Sequence, residues 1–218
     1  MKREKQIWFT SDSHFSHKNI IRFSNRPFKD ENHMNEELIR AWNEVVDEDD
    51  DVYHLGDVSL SNDPEVTHKI LQRLNGNIHL IKGNHEKSVL SKSYNIDRFV
   101  WVKDYYELKI KTNEANLTVP TKNKEQLIVM CHYGMRVWNK SHHGSYMLYG
   151  HSHDSMEKEP WGRSMDVGVD SAYRILGAYR PFSLDEITKI MSTRTHNPID
   201  HHVEQQTIKH NVNLKRNL

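Results

Sequence analysis

The sequence predicts an α/β fold: a sheet covered by helices in the first part of the chain, and a strand-rich second part. Over the first 90 residues, short apolar runs alternate with segments of helical period, which is the βαβ rhythm. After about residue 98 the strand-like runs follow one another directly. In addition, five of the apolar runs end in a group of metal-ligand residue types, which places those groups along one edge of the sheet structure.

Taken in order, Ile7-Trp8-Phe9 reads as a strand. Glu31 to Val46 reads as a helix with Met34, Leu38, Ile39, Trp42 and Val45 on its apolar face. Val52 to Leu55 is a second strand. Asp63-Pro64 then opens a helix running to about Leu74, with aspartate as N-cap and proline at its first position, and Asn75-Gly76-Asn77 ends it. His79 to Ile81 is a third strand. In the second part, strands are expected at Val100–Val102, Tyr105–Lys111, Asn116–Val119, Leu127–Cys131, Tyr146–Tyr149 and Ser164–Val169. Ser183 to Met191 reads as a helix whose N-cap serine is followed three residues on by Glu186, the capping-box arrangement. The chain divides into one domain over residues 1–192 and a polar tail over 193–218 that carries His196, His201, His202 and His210.

Composition narrows the function classes. The 218 residues carry 30 Lys+Arg against 30 Asp+Glu, a balance that gives no case for a bulk polyanion binder. One cysteine, Cys131, excludes an internal disulfide framework and any multi-cysteine zinc or iron–sulfur site. No apolar run approaches membrane-spanning length and the start MKREKQ lacks a signal-peptide core, so the expectation is a soluble, cytoplasmic protein without a membrane partner. The anomaly is 16 histidines. If they mean metal, the ligands are imidazole and carboxylate.

The five groups are Asp12-Ser13-His14, Gly56-Asp57, Gly83-Asn84-His85-Glu86, His132, and Gly150-His151-Ser152-His153. Gly56, Gly83 and Gly150 each precede a candidate ligand, where a residue without Cβ lets the chain turn sharply and come close to an ion or a phosphate. Asp12 and His14 are two apart, as are His151 and His153, so in extended chain both members of each pair point to one side.

This ordered set, DxH, GD, GNH(E), H and GHxH, resembles the calcineurin-like metallophosphoesterase superfamily over about residues 6–190. The texture of Phe15 to Ile21, Asn25-Arg26-Pro27-Phe28, and Asp166 to Asp170 followed by Arg180-Pro181 is similar to its small bacterial and phage phosphoesterases. The resemblance implies a four-layer α/β/β/α sandwich of two facing mixed sheets. It implies that Asp12, His14 and His153 bind one divalent metal, that Asn84, His132 and His151 bind a second, and that Asp57 bridges. It further implies that a metal-bridging hydroxide attacks phosphorus while His85, not itself a ligand, stabilises developing charge or protonates the leaving oxygen. Asp12, Asp57 and that hydroxide offset three of the four positive charges, which leaves one to draw in a phosphate mono- or diester, whether a small molecule or nucleotide-like. Manganese is the expected ion; iron, zinc and nickel also suit the ligand set.

Further substrate contacts are expected at His17, Arg26, Arg136 and Trp138, the last two because an arginine beside an aromatic side chain suits a nucleotide. Glu86 reads as a supporting residue, His142 and His143 as loop decoration, and Asp47 to Asp51 as a solvated loop at the far end of the second strand from Asp57. A DNA or RNA nuclease of the same superfamily remains an alternative, as does a non-catalytic metal-binding interaction protein. Filled motif positions, His85 included, argue against the latter. The protein Ser/Thr phosphatase branch is disfavoured because Gly56-Asp57 continues Val-Ser-Leu-Ser-Asn instead of an acidic residue and an Arg-Gly pair.

Overall fold

The computed structural model describes residues 3–112, 115, 117–118 and 124–195. In chain order its elements are β1 (Ile7–Thr10), α1 (Lys18–Phe23), α2 (Glu31–Asn43), β2 (Asp51–His54), α3 (Pro64–Leu71), β3 (Asn77–Ile81), α4 (Ser93–Ile96), β4 (Phe99–Lys103), β5 (Tyr105–Lys111), β6 (Glu125–Cys131), β7 (Tyr146–Tyr149), β8 (Ser164–Asp166), α5 (Val169–Leu176), β9 (Phe182–Ser183) and α6 (Leu184–Ser192). One sheet has the order β4-β3-β2-β1-β9, parallel except for β9. The other has the order β5-β6-β7-β8, with β6, β7 and β8 parallel and β5 antiparallel at its edge. Two mixed sheets flanked by helices are therefore the architecture, as the resemblance implied.

Period-two alternation assigns the faces. Trp8, Val52, Ile78 and Leu80 point to the helical side and pack with Met34, Leu38 and Trp42 of α2 and Ile70 and Leu71 of α3. Phe9, Tyr53 and Ile81 face the other way and meet Ile128 and Met130 of β6 and Leu148 of β7, so this second cluster lies between the sheets. Ile187 and Met191 of α6 close it. The outer face of the second sheet carries Val129, Met147 and Tyr149, covered by Trp138 from the β6–β7 connection.

The helix starts follow their caps. Asp30 accepts from His33 N–H, Asp63 accepts from Glu65 N–H ahead of Pro64, and Ser183 and Glu186 form the complete capping box. The helices read to Val46 and Leu74 end sooner, at Asn43 and Leu71. The run read as strand over Ser164–Val169 divides instead: β8 stops at Asp166 and α5 begins at Val169. In the expected Asn116–Val119 strand, Leu117 and Thr118 are not in a strand, while Asn116 and Val119 lie outside the described residues, as do residues 196–218 with the four tail histidines.

The acidic run is not simply a solvated loop. Asp50 is buried and accepts from Gln6 N–H (2.8 Å), Trp8 Nε1 (2.9 Å), Asp47 N–H (3.0 Å) and the Arg3 guanidinium. It fastens the chain ahead of β1 to the start of β2, at the end of the sheet away from Asp57. Cys131 is a free thiol, and no helix among the described residues is long and apolar enough to cross a membrane.

Candidate metal centre

β1, β2 and β3 run parallel, so Asp12, Asp57 and Asn84 all follow carboxyl ends at one edge. β6 and β7 are parallel too, and His132 and Gly150 follow their ends. The loops are sewn together by backbone hydrogen bonds: Asp12 N–H donates to Gly56 O (2.9 Å), His14 N–H to Asp57 O (3.0 Å), and Gly150 N–H to His132 O (2.9 Å). Five of the seven expected ligands have left-handed backbone: Asp12 (φ 54°), His14 (51°), Asp57 (56°), His151 (66°) and His153 (45°). Each such residue costs about 1 kcal/mol. The expectation that the two-apart pairs converge because the chain stays extended is thus corrected. They converge because the loops curl at those residues.

Two groups of side chains result. Ligand atoms of Asp12, His14 and His153 lie within 4.8 Å of one another, and so do those of Asp57, His132 and His151. Asp57 faces both groups with one oxygen: Oδ2 is 3.5 Å from His14 Nε2 and 3.7 Å from His132 Nε2. Its other oxygen, Oδ1, accepts from His85 N–H at 2.9 Å. Asp12 repeats this division, with Oδ2 accepting from His151 N–H at 2.8 Å and Oδ1 turned toward His14 and His153. Each aspartate therefore has one oxygen held by the backbone of another motif and one left facing imidazoles. Asn84 joins the second group through Oδ1, 3.0 Å from His132 Nε2.

The orientation of two imidazoles follows from their partners. His132 Nδ1 donates to Leu55 O at 2.7 Å, which leaves Nε2 with the lone pair. His153 Nδ1 donates to Asp170 Oδ2 at 2.7 Å, which directs Nε2 to Asp12. Asp170 is itself clamped by Arg26, whose Nε and one terminal nitrogen donate to the two carboxylate oxygens at 2.8 and 2.9 Å. The same guanidinium donates to the carbonyls of Asp12 and Ser13 at 2.8 and 2.9 Å.

The electrostatics suit cations. The Asp12 carboxyl is pushed up to about 8, first by burial and then by the charge of Asp166. Burial, then neighbouring cationic and imidazole groups, push His14 far below the usual imidazole range. Burial lowers His132 as well. For His153, burial alone would lower the pKa, but the Asp170 hydrogen bond and the charges of Asp12 and Asp170 outweigh it and the net shift is upward. Buried Asp12 Oδ1 and both His14 ring nitrogens have no hydrogen-bond partner. Orphaned buried acceptors beside an acid that burial neutralises are what a divalent cation would satisfy, and a mixed imidazole, carboxylate and amide set fits first-row divalent ions. The residues present therefore fit two metals.

The glycines are tied to the same atoms. A Cβ on Gly83 would collide with the Asp57 carboxylate, and one on Gly150 with Ser11 Oγ and Asp12 Oδ2. Glu86 is buried, and its Oε1 accepts from Val58 N–H (3.3 Å) and Gly83 N–H (3.4 Å), joining the second and third motif loops as a supporting residue. Burial first, then Asp57, pushes its carboxyl up to about 7.

A cleft of about 490 Å³ opens onto these side chains and includes His17 and His85 in its lining. The His14 ring lies 5.3 Å from that of His17 and 5.8 Å from that of His85. The other expected substrate contacts are elsewhere. Arg26 is buried with its nitrogens spent on Asp170 and two carbonyls, so it braces the site and is not free to meet a phosphate. Trp138 is a core residue whose Nε1 donates to Ser145 O at 3.2 Å. Arg136 stacks on Trp161 at 5.0 Å and does not line the cleft. His142 and His143 sit in a short 3-10 turn with their rings 4.0 Å apart. Sequence reasoning missed Asp170; its only signal was the Asp166–Asp170 texture. It also missed Tyr133, whose ring abuts His132 and His151 at 5.0 and 4.8 Å.

Comparison with known proteins places the chain in a family and bears on its fold. The model of the calcineurin-like phosphoesterase superfamily domain matches residues 6–164. An uncharacterized protein, MJ1445, of Methanocaldococcus jannaschii is 29% identical over 189 residues, covering 86% of this chain and 92% of the relative. The Gene 66 protein of Mycobacterium phage L5 is 26% identical, covering 85% and 93% of the two chains. The crystal structure of AQ665 from Aquifex aeolicus, a protein of unknown function, superposes with a TM-score of 0.59 at 22% identity over 86% of this chain and 100% of the other. That structural likeness bears on the fold.

Proposed function

Because the chain belongs to the calcineurin-like phosphoesterase superfamily, we propose that it is a binuclear metal-dependent phosphohydrolase acting on a phosphate mono- or diester. The observation that carries this is Asp57 Oδ2, 3.5 and 3.7 Å from a histidine of either ligand group. One carboxylate oxygen shared between two three-residue groups is the arrangement a two-metal site requires. Asp12, His14 and His153 would hold one ion and Asn84, His132 and His151 the other, with Asp57 common to both. Manganese is the ion we expect to support turnover; iron, zinc and nickel fit the same donors. Two divalent ions there would supply Lewis acidity toward the phosphoryl oxygens and a water made acidic enough to attack near neutral pH.

The chain's own groups do the rest. Leu55 O and Asp170 fix which nitrogens of His132 and His153 face the centre, and backbone N–H groups of His85 and His151 hold the two carboxylates in register. Water oxygen bonds to phosphorus as the bond to the leaving oxygen breaks in line. The attacking water gives up a proton to solvent, and the exposed His85 imidazole, carrying its second proton, gives that proton to the leaving oxygen and takes one back from solvent. The residue that holds Asp57 with its backbone thus acts on the leaving group with its ring. His17, in the cleft lining and with its pKa lowered chiefly by burial, borders the substrate. The single free thiol suits a reducing cytoplasm.

The test is a panel of chromogenic phosphomonoesters and phosphodiesters with manganese-loaded wild type, Asp57→Asn and His85→Gln. Hydrolysis by the wild type, lost with metal in Asp57→Asn and reduced about 10²–10⁴-fold with metal retained in His85→Gln, supports the reading. Two bound ions and no cleavage of any ester would favour the non-catalytic binding protein.

A further inference from the structure

The cleft lining is chemically mixed: metal-group side chains share it with the apolar Ile20, Phe23 and Leu60. Phe23 is the last residue of α1 and is 65% exposed, although Ile20 on the same helix is buried. Its ring meets the His17 imidazole edge-on at 6.4 Å, and the Arg22 guanidinium lies over it at 5.2 Å. His17 is in turn 5.3 Å from His14. Phe23 therefore stands two ring-to-ring steps from the first ligand group. The next residue, Ser24, approaches His153 Nδ1 at 3.4 Å, so the end of α1 is set beside that group.

Resting on the phosphoesterase reading above, we propose that Phe23, with His17 at its edge and Arg22 over its ring, is a stacking subsite for a nucleobase, and that the substrates are nucleoside phosphates. Two rings meeting edge to face make a corner that a third planar ring fits by stacking on Phe23 with its rim against His17. Any base presents a π-face to such a corner, so the subsite accepts nucleotides without selecting one base. The spacing argues for the same class. A ring attached directly to the ester oxygen stays beside the ligand groups, whereas a pentose between phosphate and base carries the base out to Phe23. Sugar and alkyl phosphates bring no aromatic ring to Phe23.

The experiment compares kcat/KM for matched pairs that differ only by the base. One pair is adenosine 5′-monophosphate and ribose 5-phosphate; the other is their methyl esters, which covers diesterase activity. Wild type is expected to favour the base-bearing member by about tenfold or more. In Phe23→Ala that ratio should fall toward one, chiefly through KM, and Phe23→Trp should restore it. A wild-type ratio near one, or a ratio that survives Phe23→Ala, overturns the subsite and leaves the phosphoesterase reading standing. Hydrolysis of no member of either pair, or of the chromogenic panel, overturns both.

Discussion

Asp170 and His153 share a 2.7 Å hydrogen bond that fixes which imidazole nitrogen faces Asp12. Partners of this kind typically carry about 10–100-fold in metal affinity. Asp170→Asn should weaken one of two metal-binding events by that factor and leave the other near wild type. Calorimetric titration of the chelated protein with manganese reads the two events separately. Equal affinities in variant and wild type would remove Asp170 from the centre.

Arg26 is the strut behind that contact. Its guanidinium is buried, donates to both oxygens of Asp170, and ties in two backbone carbonyls of the first motif. Arg26→Met strands a buried carboxylate and should cost about 3–5 kcal/mol. Arg26→Lys should recover little, because an ammonium cannot reproduce the planar fork. Urea unfolding gives the values; a loss below about 1 kcal/mol in Arg26→Met would contradict a bracing role.

Gly83 and Gly150 touch the two aspartates from outside. Gly83→Ala should displace Asp57, and Gly150→Ala should displace Asp12, each lowering the bound metal below two per chain. Gly177 is the control: its φ is +72° but nothing lies within 4 Å of an added Cβ. Gly177→Ala should cost about 1 kcal/mol of stability through backbone strain alone and keep the full metal complement. Elemental analysis of the three proteins checks this.

Far from the centre, Glu186 closes the α6 capping box and pairs with Arg180. Burial raises its pKa, but Arg180 and the Ser183 backbone outweigh this and hold it below its ordinary 4.5. A carboxyl depressed in the folded state adds stability above its unfolded pKa, and that stability is lost as pH falls through the folded value. Glu186→Gln should therefore be less stable than wild type by about 1 kcal/mol at pH 7, with the gap closing as pH falls below 4.5 and through the depressed folded value. A gap that persists in acid would show that the charge is not its cause.

Much of this was legible in the sequence, and the reasons are local. Alternation in Trp8-Phe9 and Val52-Tyr53 gives a strand with two buried faces, and Asp63-Pro64 and Ser183/Glu186 announce their helices through caps. The ligand order along the chain becomes proximity because parallel strands end at one edge. The left-handed turns at Asp12, His14, Asp57, His151 and His153 were not legible, since no residue type there demands positive φ. Arg26 and Asp170 meet across 144 residues of chain, a pairing that local pattern does not encode. Trp138 misled for the opposite reason: its nearness in sequence to Arg136 suggested a nucleotide contact, but the connection carries it to the outer face of the second sheet. Asp50 misled because an acidic run reads as solvated until its partners, Gln6, Trp8 and Arg3, are in place.

The central claim is that two metals held through Asp57 hydrolyse a phosphate ester, and a titration of rate against metal tests it most directly. Protein freed of metal by a chelator is loaded stepwise with manganese, and the initial rate of ester hydrolysis is followed against bound ions per chain. The account predicts no rate in the chelated protein and a rise that saturates at two ions, with Asp57→Ala failing to reach that stoichiometry. Hydrolysis that persists after chelation, or that saturates at one ion, would contradict it.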